Sequence, residues 1–208
     1  MTGGGAVAAD ALAVAIALLA GYLVGSLPVA RRIAILAGHD PVAEGERNPG
    51  SANVWKLAGP GWGLLALTGD LAKGVIPVAI GIVTWSWSVG WAAGVGALLG
   101  ASWPALGRLP GGRGVAVLSG VSFTLAPPAG IVSVTLTLLV VLVGRLVGRN
   151  ARVVAIAVGI ASFPVLFLAV QQDVARLAAL LVLYLLAVLR YVTTRRARIA
   201  TTDPRRRS

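Results

Sequence analysis

Two residues of opposite charge lie inside an otherwise apolar stretch of the sequence. Asp70 and Lys73 are three positions apart, so on a helix their side chains share one face. Charged groups in apolar helices are costly, and for that reason they are candidates for function. A lysine positioned by a carboxylate could face an anionic substrate, and the two could equally neutralise each other within the helix. The residues alone leave both interpretations open.

A glycine-rich turn offers groups of the kind that bind phosphate. It runs through Pro110, Gly111, Gly112, Arg113 and Gly114, and the apolar stretch that follows predicts a helix. Glycines let backbone amides approach a ligand closely, a helix N-terminus favours negative charge, and an arginine presents a fork of donors. We therefore predict that Gly111, Gly112, Arg113 and Gly114 bind a phosphate group.

A third polar segment, residues 48–56, combines amides, small residues and a cation. Asn48, Gly50 and Asn53 can hydrogen-bond a polar ligand, and Lys56 can neutralise an anion. Composition alone favours an ordinary cytoplasmic loop. Taken with the two preceding features, it predicts a pocket for a phosphate group beside lipid.

No pair of side chains typical of nucleophilic catalysis is visible in the sequence. The chain has no cysteine, and its one histidine, His39, lies in a predicted loop. A metal site of cysteine or histidine ligands is therefore excluded, and we predict neither a metal nor another cofactor. Since no catalytic group can be identified, the predicted roles are confined to binding.

The elements that must position these residues are helices that cross a membrane. Hydrophobic residues make up 57% of the 208 positions and charged residues 12%, and the mean hydropathy is +0.88. A soluble domain carries about 25% charged residues, so this chain could not cover its surface in water. The net charge of +11 fits cytoplasmic loops, which collect lysine and arginine in membrane proteins, and we predict no nucleic-acid partner.

Basic residues cluster between the apolar stretches, and their distribution predicts the topology. With every cluster in the cytoplasm, the N-terminus lies outside and the C-terminus inside. The Pro127-Pro128 pair divides one long apolar stretch into two helices. The predicted fold is all-α, a polytopic membrane protein with seven transmembrane helices at about 11–30, 62–83, 88–106, two within 115–143, 153–170 and 174–190. We predict a single membrane domain over 1–190 and a basic cytoplasmic tail over 191–208.

Five short motifs follow one another along the first part of the chain. They are Gly25-Ser26-Leu27-Pro28, the block from Gly45 to Lys56, Asp70-Leu71-Ala72-Lys73-Gly74, Gly100-Ala101-Ser102-Trp103-Pro104 and Gly111-Gly112-Arg113-Gly114-Val115-Ala116. In order and spacing they resemble the bacterial acyl-phosphate:glycerol-3-phosphate acyltransferase family, the PlsY-type membrane enzymes. The resemblance covers about residues 20–125. We expect Ser26 to hydrogen-bond to its own helix beside a proline kink.

The resemblance implies seven helices with a cytoplasmic active site in the bacterial plasma membrane. It implies transfer of a fatty acyl group from acyl phosphate to the 1-hydroxyl of glycerol 3-phosphate, which gives lysophosphatidic acid for phospholipid biosynthesis. Acyl phosphate, glycerol 3-phosphate and membrane lipids are then the partners, and neither metal nor nucleotide is needed. A substrate phosphate is implied as the base, so that positioning and electrostatic stabilisation supply most of the rate.

Several polar positions of the family pattern carry other residues here. The replacements are Glu46 for serine, Arg47 for glycine, Lys56 for arginine, Ala101 for histidine, Arg113 for lysine, Tyr191 for histidine and Thr194 for asparagine, with Asn150 or Ala151 where a serine is expected. The C-terminal part of the pattern keeps only Leu189-Arg190. A carboxylate at Glu46 would repel a phosphate unless Arg47 pairs with it. Two further hypotheses stay open: a catalytically inactive relative that binds lipid phosphates or a partner enzyme, and a small transporter.

Overall fold

The structure, a computed structural model, describes residues 3–105, 111–147, 152–171 and 173–202. These residues form helices joined by short connections, as the sequence predicts. The helices are α1 (Gly3–Gly25), α2 (Val29–Leu36), α3 (Ser51–Ala58), α4 (Pro60–Thr84), α5 (Trp87–Ser102), α6 (Val115–Leu125), α7 (Pro127–Leu146), α8 (Arg152–Gln171) and α9 (Val174–Thr202). Outside the described residues lie the predicted features at Pro110, Asn150, Ala151 and 203–208.

A seam of glycines joins α1 to α5 and leaves no room for side chains. It consists of two pairs with a spacing of four, Gly21/Gly25 and Gly96/Gly100. A Cβ placed on Gly100 would lie 2.1 Å from the Tyr22 carbonyl oxygen. Small residues at this spacing let membrane helices approach closely, so α1 and α5 meet backbone to backbone.

α4 is joined to α6 in the same way. A Cβ on Gly74 would lie 2.3 Å from the Val117 carbonyl oxygen, and a Cβ on Gly120 would lie 2.3 Å from the Leu71 carbonyl oxygen. The short helices α2 and α3 pack against α4 in a small core of their own. The polar segment between α2 and α3 is therefore held beside α4.

Large side chains, not glycines, fill the interior between α8 and α9. Phe163 and Phe167 of α8 are fully buried, and Phe163 stacks on Tyr184 of α9 with 5.1 Å between ring centres. The hydroxyls of Tyr184 and Ser122 hydrogen-bond at 2.9 Å, which ties α9 to α6. One apolar core thus runs from α5 and α6 into the last two helices.

Among the described residues, four helical segments are long and apolar enough to cross a membrane. They are Gly4–Leu36, Pro60–Thr84, Pro127–Gly144 and Val174–Thr194. α6 has 11 residues, fewer than the roughly 20 of a typical crossing, and the count of seven crossings stays a prediction. The predicted division at the proline pair is confirmed, because α6 ends at Leu125 and α7 begins at Pro127.

Three other predicted boundaries differ from the structure. The predicted first span, 11–30, is interrupted after Gly25 because Pro28 lacks an N–H and disfavours helical backbone in the residue before it. Much of the polar segment 48–56 forms helix α3, not a loop. The proposed domain division at residue 190 falls inside α9, which continues to Thr202, and that division also stays a prediction.

Candidate functional site

A cavity of about 170 Å³ opens where the glycine-packed helices end. Its wall is formed by the end of α1, the start of α2, the segment leading into α3, one turn of α4, the end of α5 and the start of α6. Eight of the ten predicted ligand-binding residues line it, namely Asn48, Gly50, Asp70, Lys73, Gly111, Gly112, Arg113 and Gly114. The three polar features of the sequence therefore meet in one place.

Asp70 and Lys73 form an ion pair within one turn of α4. Nζ of Lys73 lies 2.9 Å from Oδ1 of Asp70, so the predicted shared helix face is confirmed. The same Nζ donates a hydrogen bond to the Leu27 carbonyl oxygen at 3.1 Å. Both side chains are at most 10% exposed. Because Leu27 lies in the break between α1 and α2, the ammonium group is fixed to the cavity wall from two sides.

The turn 111–114 has a backbone shape that requires glycine at both ends. A Cβ on Gly111 would lie 1.9 Å from the Ser102 carbonyl oxygen, and Gly114 has a φ of +70°, in the left-handed region that favours glycine. The Gly114 carbonyl oxygen accepts the N–H of Leu118 as α6 begins. Residues 115–117 line the cavity, and their N–H groups have no partner inside the helix. The positively polarised end of α6 thus borders the cavity.

Arg113 holds its guanidinium between a carboxylate and an aromatic ring. Nη1 lies 3.1 Å from Oε2 of Glu46, and the guanidinium carbon lies 5.2 Å from the centre of the Tyr191 ring. Nε is buried without a hydrogen-bond partner. The other carboxylate oxygen of Glu46, Oε1, pairs with Lys56. Glu46 is therefore neutralised by two cations that the sequence analysis assigned to a ligand.

Asn48 and Arg31 add further polar groups to the same wall. Asn48 is 4% exposed, and its Oδ1 has no hydrogen-bond partner. Arg31 donates to both carboxylate oxygens of Asp40, at 3.1 and 3.2 Å, and these bonds hold the pKa of Asp40 below its ordinary value. Arg31 is thus a cation of the cavity that sequence reasoning did not assign to the site.

Two residues predicted to bind a ligand, Asn53 and Lys56, lie outside the cavity lining. Asn53 is fully buried. Its Nδ2 donates to the carbonyl oxygens of Pro41, Glu44 and Asn48, and its Oδ1 accepts the N–H of Glu46. The amide therefore shapes the loop before α3, and ligand binding by Asn53 stays a prediction. Lys56 forms an ion pair with Glu46, and its binding of a ligand stays a prediction.

Ser26 and Arg190 secure the segments around the cavity. Oγ of Ser26 donates to the Tyr22 carbonyl oxygen at 2.7 Å, as expected, and also accepts the N–H of Ala105 at 3.2 Å. Arg190 of α9 donates to the carbonyl oxygens of Gly111 and Gly112, at 3.3 Å each. Sequence reasoning assigned Arg190 no role, and the retained Leu189-Arg190 pair was the signal that could have found it.

The chemistry available to this cavity is the binding of anions. Its wall presents the ammonium of Lys73, the guanidinium groups of Arg31 and Arg113 and the start of α6. Within the described residues, no group of three histidine, cysteine, aspartate or glutamate side chains could hold a metal ion. Fixed cations and N–H groups of this kind can position phosphates and stabilise charge that develops on them.

Comparison with known proteins agrees with this geometry. Residues 15–201 match a family model described as glycerol-3-phosphate acyltransferase. A protein of Rubrobacter xylanophilus with that name is 37% identical over 143 residues, which are 67% of this chain and 70% of the relative. Another of that name, from Desulforudis audaxviator, is 36% identical over 153 residues, which are 73% of this chain and 77% of the relative.

A solved structure is similar over nearly the whole chain. It is the crystal structure of PlsY, an integral membrane glycerol 3-phosphate acyltransferase, in its glycerol 3-phosphate form. The TM-score is 0.76 with 25% sequence identity, and the alignment covers 91% of this chain and 94% of the other.

Proposed function

This chain belongs to the glycerol-3-phosphate acyltransferase family, and we propose that it transfers a fatty acyl group from acyl phosphate to the 1-hydroxyl of glycerol 3-phosphate. The observation that carries the proposal is the meeting of Lys73, Arg113 and the start of α6 in one cavity between apolar helices. Both the acyl donor and the product, lysophosphatidic acid, join a phosphate to a long apolar chain. A polar cavity at the end of membrane helices suits such molecules.

The cations and amides of the cavity are proposed to hold the two phosphates. Asp70 and the Leu27 carbonyl take two of the three N–H donors of Lys73, and the third is available to a phosphate oxygen. The turn at 111–114 and the N–H groups at the start of α6 provide further donors, and Arg113 provides charge. Asn48 and Gly50, which also line the cavity, complete the proposed set.

The reaction needs no protein nucleophile. The acceptor hydroxyl oxygen attacks the acyl carbon and forms the new ester bond, and the bond between that carbon and the phosphate oxygen breaks. The phosphate leaves with the electron pair, and a substrate phosphate takes the hydroxyl proton, as the resemblance implies. The contribution of the protein is to align the two substrates and to stabilise the charge on the leaving phosphate.

The proposed setting is the bacterial plasma membrane, with seven crossings, the N-terminus outside and the cavity on the cytoplasmic side. The four long apolar segments and the distribution of arginines support this arrangement. Because the chain has no cysteine, a single introduced cysteine shows on which side of the membrane its position lies, and no other residue of the chain reacts. In intact cells we expect Gly4→Cys to react with a membrane-impermeant maleimide and Ala43→Cys to react only after the membrane is opened. Labelling of Ala43→Cys in intact cells would contradict the orientation.

Acyl transfer by the purified protein in lipid tests the activity. With palmitoyl phosphate and radiolabelled glycerol 3-phosphate, we expect labelled lysophosphatidic acid from the unaltered protein. Arg113→Ala should lower turnover on the order of 100-fold, the typical cost of losing one group that stabilises transition-state charge. The matched control is Arg176→Ala, because Arg176 pairs with Asp173 at the opposite end of α9.

Two results would contradict the proposal. Full turnover in Arg113→Ala would exclude Arg113 from the site. Absence of turnover in folded protein, with donors of several chain lengths, would exclude the transferase activity. If phosphate binding then persisted, the inactive relative that binds lipid phosphates would replace the proposal.

A further inference from the structure

Glu46 pairs with a cation of the cavity for which an anionic substrate should compete. Its Oε2 lies 3.1 Å from Nη1 of Arg113, and its Oε1 pairs with Lys56. Both side chains of the Glu46–Arg113 pair are partly shielded, at 29% and 21% exposed. A carboxylate and a phosphate present the same kind of oxygen to a guanidinium, so both cannot use the same N–H group of Arg113 at once.

Two other parts of the Arg113 guanidinium are already constrained. Nε is buried and has no partner, and the Tyr191 ring lies over the group at 5.2 Å. A phosphate that reaches Nη1, which meets Glu46, would therefore compete with the carboxylate there. Glu46 itself is about one-third exposed, so its side chain has room to turn.

The loop around Glu46 is fixed even though its side chain can move. The Glu46 N–H donates to Oδ1 of Asn53 at 2.9 Å, and Nδ2 of Asn53 donates to the carbonyl oxygens of neighbouring loop residues. Lys56 lies one helical turn beyond Asn53 on α3. A carboxylate that leaves Arg113 therefore stays within reach of Lys56.

We propose that Glu46 determines the affinity of this site for phosphate-bearing substrates, because its carboxylate holds Arg113 until a substrate phosphate replaces it and then remains paired with Lys56. The inference rests on the proposed function, since it takes Arg113 as a phosphate-binding group. It assigns Lys56 an indirect role that agrees with its position outside the cavity lining. No bond is made or broken, and only ion-pair partners are exchanged.

Glu46→Gln keeps the size of the side chain and removes its charge. We expect the KM for at least one of the two phosphate-bearing substrates to fall about three- to ten-fold, the range for losing one partly shielded ion pair. Separate titration of glycerol 3-phosphate and palmitoyl phosphate shows which phosphate contests Arg113. The matched control is Glu44→Gln in the same loop, because Glu44 pairs with His39 instead, and its KM values should match those of the unaltered protein.

A second substitution separates competition from a merely structural role. Lys56→Met removes the alternative partner of Glu46, so Glu46 should bind Arg113 more firmly and the KM should rise. In the Glu46→Gln background, Lys56→Met should then have no effect. An equal rise in both backgrounds would show that Lys56 acts on the substrate directly and would overturn the exchange of partners.

An increase or no change in both KM values of Glu46→Gln, with acyl transfer present, would overturn the inference and leave the proposed function intact. If the unaltered protein shows no transfer, isothermal titration with glycerol 3-phosphate and with palmitoyl phosphate decides, because the Kd of at least one of them should fall by the same factor in Glu46→Gln. Absence of both transfer and binding would overturn both proposals. If Glu46→Gln does not fold, Glu46→Ser tests the same expectation.

Discussion

The two parts of this molecule are packed in opposite ways. From α1 to α6, helices meet through glycines, and a Cβ on Gly25, Gly96 or Gly100 would lie 2.0 to 2.1 Å from a carbonyl oxygen of the neighbouring helix. Between α8 and α9, the interior is filled by large side chains such as Phe163 and Phe167. In the first part the backbones of neighbouring helices are in direct contact, whereas in the second part large side chains fill the space between helices.

The candidate site belongs almost entirely to the first part. Backbone groups form much of its wall, and they are held in place because the helices carrying them touch directly. The second part contributes Tyr191 to the cavity wall and Arg190 to the turn beside it. We infer that the glycine-packed part sets the geometry of the site and that the aromatic part stabilises the protein and braces one loop.

Phe163→Ala is the change with the largest expected effect, and it should act on stability alone. Truncation of a fully buried phenylalanine costs about 3–5 kcal/mol of the free energy of unfolding, and Phe163 also loses its stacking on Tyr184. Thermal unfolding in detergent measures this loss, and turnover per folded molecule should stay near that of the unaltered protein. Val165→Ala on the same helix is the control, because Val165 is 68% exposed. A large loss of turnover per folded molecule would contradict the inference that the aromatic part acts mainly on stability.

Gly100→Ala should have a smaller effect on stability and should also impair activity. The added methyl group would lie 2.1 Å from the Tyr22 carbonyl oxygen, and overpacking of this kind costs about 1–3 kcal/mol. Because α5 carries one wall of the cavity, its displacement should lower turnover of the folded fraction as well. Gly61→Ala serves as the control, since nothing lies within 4 Å of a Cβ at that position. Normal turnover in folded Gly100→Ala would show that the seam does not set the site.

Arg190→Gln should have the smallest effect of the three substitutions. It tests whether the aromatic part contributes to the site through the turn that Arg190 contacts. Two hydrogen bonds from Arg190 to the carbonyl oxygens of Gly111 and Gly112 would be lost. A hydrogen bond to a charged group contributes about 1.5–3 kcal/mol, so we expect the unfolding temperature to fall by several degrees, and turnover of the folded protein to fall about ten-fold because the turn is displaced. Arg176→Gln at the other end of α9 should leave turnover unchanged. Equal effects of the two substitutions would show that Arg190 has no specific role in the site.

Much of the site could be predicted because its signals are local. The spacing of Asp70 and Lys73 predicts one helix face, and glycines followed by an apolar stretch predict a helix start beside the 111–114 turn. These features depend on helix period and backbone chemistry, which the sequence contains. The order of basic and apolar stretches likewise predicts the all-helical fold.

The rest of the site could not be predicted, because it depends on contacts between residues that are distant along the chain. Asn48 and Asn53 are the same residue type five positions apart, yet one lines the cavity and the other binds three carbonyl groups of its own loop. Only the folded loop distinguishes them. Glu46 could be expected to need a cation, but its pairing with Arg113 requires α3 and α6 to be placed together. Arg190 reaches a turn 78 positions away.

The ion pair of α4 has a consequence for biogenesis. Asp70 and Lys73 neutralise each other at 2.9 Å across a single helical turn, so α4 can leave the translocon for lipid without waiting for a later segment to neutralise its charges. Arg190, by contrast, reaches the 111–114 turn only once α9 has been synthesised. A nascent chain released before that point would have inserted its central charged helix but would lack the hydrogen bonds from Arg190 to the 111–114 turn. Catalytic competence should therefore come last in synthesis, after membrane integration is almost complete.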